Sequence, residues 1–173
     1  MTADPVEGDY MSLGAALMHP LSRSSCHISS SDREVHPIID PRYLSHPLDL
    51  EVFAQHLMAI EVLTKTEPLA GFLKPNGRRA QPGPNGAKVD TLNRAKEYIR
   101  ATTLSDNHPV GTCTMLPREK GGVVDSALKV YGVDKLRIVD SSIMPIIPRA
   151  NTQTTVYAAA ENAADLIKTE YSI

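Results

Sequence analysis

The sequence predicts an α+β fold, and three observations carry that expectation. Leu50, Phe53, Leu57, Ile60 and Leu63 recur at three- and four-residue steps, as do Leu92, Ala95 and Ile99, with Tyr98 beside them, so two amphipathic helices are expected. A Ser-rich stretch, Ser22 to Ser31, sets Cys26 and Ile28 against polar neighbours at alternate positions, the pattern of a short strand with one buried face. An Ala-rich stretch near the end, from about Thr154 to Thr169, reads as a third helix whose small residues allow close backbone approach.

The elements follow in order along the chain. Residues 1 to 10 are acidic and irregular and are expected to form a loose tail, and 11–173 one domain, with parts at about 11–104 and 105–173. Pro37, Pro41 and Pro47 predict an extended loop, because proline and the residue before it resist helix. Asp49 opens the first helix, over about 49–65. The prolines and glycines of 74–87 predict a polar loop, and Asp90 is placed to cap a second helix over about 90–103. Gly121-Gly122 breaks the chain before two short extended pieces, Val123-Val124 and Ala127 to Val130, and Leu136 to Val139 reads as a four-residue strand.

Composition removes several function classes. With 173 residues and 42% hydrophobic content the chain can bury one core of ordinary domain size. Eighteen basic and 20 acidic residues give a net charge of -2, which offers no electrostatic case for nucleic acid or an anionic membrane surface. No apolar run approaches the roughly 20 residues needed to span a bilayer. Cys26 and Cys113 are too few for a disulfide framework and read as buried small hydrophobes. His19, His27, His36, His46 and His56 are scattered without ligand spacing, so no metal site is expected.

Chemistry concentrates in two segments. Asp106-Asn107-His108-Pro109-Val110-Gly111-Thr112-Cys113 fixes a histidine ahead of Pro and Gly. Val139-Asp140-Ser141-Ser142-Ile143-Met144-Pro145 is followed by Arg149-Ala150-Asn151-Thr152-Gln153-Thr154-Thr155, which presents an amide just before a helix. Each has an ordinary structural reading too: a loop histidine, a turn at a strand end, an asparagine N-cap. Ser105, Asp106 and His108 do not form a hydrolase triad, since no G-x-S-x-G elbow is present. A histidine titrates nearest neutral pH, which suits it to accept one proton from one substrate oxygen.

These segments, with Pro20-Leu21-Ser22-Arg23-Ser24-Ser25 and Pro37-Ile38-Ile39-Asp40-Pro41-Arg42-Tyr43-Leu44-Ser45-His46-Pro47-Leu48-Asp49-Leu50-Glu51 upstream, resemble the C-terminal part of the glucose-methanol-choline (GMC) family of FAD-dependent alcohol oxidoreductases over roughly Met18 to Tyr171. The resemblance implies an antiparallel substrate-domain sheet flanked by helices, with the stretch from about 105 completing the FAD-binding domain. It implies that His108 is the general base and that Asn151 donates a hydrogen bond to the substrate oxygen. Asp140 and Ser141 would lie near the ribityl-pyrophosphate portion of FAD, and Gln153 with Thr154 near its ring. The resemblance also implies an alcohol as substrate partner, and because no G-x-G-x-x-G occurs the FAD-binding half is expected N-terminal to these residues. The competing expectation is a non-catalytic remnant or interaction module of such a gene.

Overall fold

The computed structural model describes residues 8–74 and 89–173. From residue 75 on, the loop expected over 74–87 lies outside the described residues, as do the first seven residues of the expected tail. Two compact units are present: one of Arg42–Leu104 with the residues up to Arg23, the other of Ser24–Pro41 and Ser105–Ile173.

In the first unit, helix α1 (Pro47–Leu63) carries the expected apolar spacing, with Leu50 and Ala54 buried and Phe53, Leu57 and Met58 half-buried beside them. Leu63, expected at the end of that stripe, is exposed. A one-turn helix, α2 (Leu69–Phe72), follows. Helix α3 (Leu92–Thr102) sets Ala95 and Ile99 against the buried residues of α1, with Val89 completing the core. Lys96 of α3 pairs with Glu51 of α1 at the edge of this contact. The cap of α3 differs from expectation: the Thr91 hydroxyl accepts from Arg94 N, while the Asp90 carboxylate pairs with the Arg94 guanidinium at 2.8 Å.

The start of α1 is tied to the chain before it. Asp49, 4% exposed, accepts from Leu21 N at 2.8 Å, from Ser22 N at 2.7 Å and from the Ser22 hydroxyl at 2.5 Å. Ser22 Oγ in turn accepts from His46 N at 3.0 Å, and His46 Nδ1 caps the helix by accepting from Leu48 N. Burial alone would raise the Asp49 pKa, but the hydrogen bonds from Leu21 and Ser22, with the nearby His46, together hold it below the ordinary value of 3.8.

In the second unit, strands β1 (Ser25–His27) and β2 (Ile38–Asp40) pair antiparallel, Cys26 opposite Ile39. The structure thus has the antiparallel pairing, but it corrects two readings. Part of the expected Pro37–Pro47 loop is strand β2, since Pro37 and Pro41 sit just outside the three paired residues. The expected buried face is absent: Ile28, Ile38 and Ile39 are exposed, and so is Cys26, which was read as buried.

Val124, Leu128, Ile143 and Ala163 form the core of this unit. The stretches 123–130 and 136–139 make single bridges, Val124 to Val130 and Lys129 to Arg137, in place of continuous strands. Gly122 is required by space: an added Cβ would stand 1.8 Å from the Leu116 carbonyl oxygen. Helix α4 (Gln153–Tyr171) buries Ala163 and is tied down near its end by Glu170, which accepts from Lys129 and Arg137. Lys129, then Arg137, hold the Glu170 carboxyl below its usual range. Among the described residues no helix is long and apolar enough to cross a membrane.

Candidate active site

The two chemistry-bearing segments are zipped together by backbone. Cys113 N donates to Ser142 O at 3.0 Å and Met115 N to Ile143 O at 2.8 Å, and the Ser141 hydroxyl donates to Pro109 O at 3.1 Å. Gly111 makes the close approach possible. Its φ is +89°, and a Cβ there would stand 3.3 Å from the Met144 carbonyl oxygen. The Thr114 hydroxyl donates to the Gly111 carbonyl and closes the turn.

This scaffold carries His108 to Asn151. His108 Nε2 lies 2.9 Å from Asn151 Oδ1 across 43 residues of sequence. On the other side of the ring, Thr152 Oγ1 lies 3.4 Å from Nδ1. Asp106 Oδ2 stands 3.9 Å from Nε2, an ion pair only when the ring is protonated. The His108 side chain remains 27% exposed. The residue before each partner is left-handed, Asn107 with φ +58° and Ala150 with φ +88°, and the non-glycine strain at Ala150 goes with the sharp turn that presents Asn151.

The remaining predicted residues are spread around this pair. Asn151 is not the cap of α4; Thr152 occupies that position with no side-chain capping bond, which leaves the Asn151 amide to face His108. Gln153 Nε2 donates to the Tyr157 hydroxyl at 2.9 Å, and Thr154 is exposed in the first turn of α4. Asp140 accepts from Ser142 N at 2.8 Å and so caps the short turn Ser141–Ile143, while Ser141 is committed to Pro109. Sequence reasoning missed Thr152 as a neighbour of the imidazole. Its hydroxyl beside Asn151 was visible, but it read only as part of a helix start.

The family model for GMC oxidoreductases matches residues 20–160. The chain belongs to the GMC oxidoreductase family. It is 40% identical over 157 residues to the GMC oxidoreductase family protein Mala s 12 of Malassezia sympodialis, covering 91% of this chain and 24% of that protein. Among solved structures it superposes on a fungal aryl-alcohol oxidase with TM-score 0.77 and 38% identity, covering 91% of this chain and 25% of that one. An FAD-dependent oxidoreductase from Chaetomium thermophilum superposes with TM-score 0.80 and 32% identity, covering 90% and 26%. The chain therefore spans about a quarter of the length of the GMC relatives it matches, and it carries the C-terminal GMC fold.

Proposed function

We propose that these residues form the proton-handling part of an FAD-dependent oxidoreductase acting on the CH–OH group of an alcohol. The approach of His108 Nε2 to within 2.9 Å of Asn151 carries the reading, because it joins a group able to take a proton to an amide able to hold the oxygen that loses it. Membership of the GMC family and the FAD-dependent neighbour support the cofactor.

The residues present are compatible with a flavin. Thr152 leaves the first turn of α4 without a side-chain cap, and Asn151, Gln153, Thr154 and Thr155 are exposed there, so N–H groups at a helix start are available to an electron-rich ring edge. Gln153 and Thr154 would stand by that ring, and Asp140 with Ser141 by the ribityl-pyrophosphate portion. When bound, FAD supplies the hydride acceptor that no side chain can provide.

The chain's own residues then divide the work. His108 receives the substrate's hydroxyl proton. Asn151 cannot take that proton, but its N–H can donate to the oxygen as negative charge develops on it. The turn through Gly111 and the left-handed Ala150 hold the two groups in register, so the oxygen need not search for either.

The test uses the FAD-loaded protein that includes these residues. Under anaerobic conditions, a panel of primary alcohols should bleach its flavin absorbance, at least one of them at a rate that saturates with concentration. A flavin that stays oxidised with every alcohol tried would favour the remnant or interaction-module reading instead.

A further inference from the structure

The two nitrogens of His108 face different surroundings. Nε2 looks toward Asn151, an exposed residue, on a ring that is itself partly open to solvent. Nδ1 looks toward the hydroxyl of Thr152, which is 7% exposed. Thr152 covers the Nδ1 side, so a neutral ring that is to accept a proton on Nε2 must carry its own proton on Nδ1 beforehand.

We infer that Thr152 is a positioning residue for His108, its Oγ1 accepting Nδ1–H and so leaving Nε2 free for the substrate proton. This rests on the base reading of His108 and deepens it. Thr152 Oγ1 is the oxygen the structure sets against Nδ1, and its place at the cap of α4, where it forms no capping bond, leaves the hydroxyl available for the ring. The arrangement observed, with Asn151 Oδ1 2.9 Å from Nε2, suits the ring after Nε2 has gained a proton, when an amide oxygen can accept from it. Asp106, 3.9 Å from Nε2, adds its charge only to that protonated ring.

The experiment is nitrogen NMR of the chain with isotope-labelled histidine rings at a pH where they are neutral, the His108→Gln variant assigning the signal. The parent should show Nδ1–H as the dominant tautomer of His108. Thr152→Val keeps the shape and removes the oxygen, and should lower the Nδ1–H to Nε2–H ratio about five-fold, the worth of one ordinary hydrogen bond. Thr152→Ser should restore it. A parent ring protonated mainly on Nε2, or a ratio unmoved by Thr152→Val, overturns the assignment. The parent and Thr152→Ser spectra keep it open to refutation even where Thr152→Val fails to fold. A proton base elsewhere would show in turnover of a His108 variant while leaving this tautomer preference intact, so the two readings fail separately.

Discussion

Ser22 and Asp49 are joined by two hydrogen bonds, backbone N–H at 2.7 Å and hydroxyl at 2.5 Å, and with Leu21 they fasten the segment before β1 to the first turn of α1. Because these bonds hold the Asp49 carboxyl below its ordinary pKa of 3.8, the unfolded chain binds the proton more readily than the folded one. The stability they confer is complete well above that value. It fades as pH falls past it and is gone once the folded carboxyl is protonated. Asp49→Ala should cost about 2–3 kcal/mol at neutral pH, since it strands donors that faced a charge. Denaturant melts of parent and variant should draw together as pH falls below 3.8; parallel curves through that fall would contradict this role.

The glycine pair after the turn Arg118–Lys120 separates two kinds of strain. Gly122→Ala places a Cβ 1.8 Å from the Leu116 carbonyl oxygen, and backbone must move; a loss of about 2–4 kcal/mol is expected. Gly121→Ala meets nothing within 4 Å but keeps a φ of +81°, so about 1–2 kcal/mol is expected from conformation alone. Equal midpoints for the two variants in chemical denaturation would show that the close approach is not as described.

Ala150 sits at φ +88° immediately before Asn151. Ala150→Gly should therefore be neutral or stabilising by up to about 1 kcal/mol, whereas Ala150→Val should destabilise and displace the amide. Thermal midpoints in the order Gly, Ala, Val from high to low are expected; Val as stable as Ala would mean the turn relaxes freely.

In the first unit, Ile99 and Leu50 pack in one small core with Ala54, Val89 and Ala95. Ile99→Ala should cost about 2–4 kcal/mol, the usual range for emptying a buried aliphatic side chain, since Ile99 is 3% exposed in the core between α1 and α3. Calorimetry of the variant checks this. A change under about 1 kcal/mol would show that α3 contributes little to that core.

Helices α1 and α3 were legible because their apolar spacing survives in the fold, Leu50 and Phe53 in one and Ala95 and Ile99 in the other, whereas α4 was legible from its alanines, of which Ala163 is buried. The hairpin was only half legible. A strand forms within the stretch expected, at Ser25–His27, but without the buried face that alternation predicted, and its partner β2 lies between prolines and exposes Ile38 and Ile39, so no burial pattern marked it. Asp49 read as a helix start, since its partners lie 27 and 28 residues away and nothing local announces them. His108 and Asn151 were visible as motif residues. That their side chains meet depends on the zipper between Cys113 and Ser142, a backbone feature that residue types do not encode. Thr152 was hidden for a related reason: a hydroxyl at a helix start has an ordinary use there, and only the fold shows it facing a ring nitrogen instead.

On the proposed function, the His108 imidazole takes the substrate's proton. The most direct measurement is kcat/KM for a reactive primary alcohol in the FAD-loaded protein, parent against His108→Ala, with flavin content matched. Loss of a general base predicts a fall of about 10²–10⁴-fold, with flavin binding retained. Turnover within a few-fold of the parent would contradict the assignment of His108.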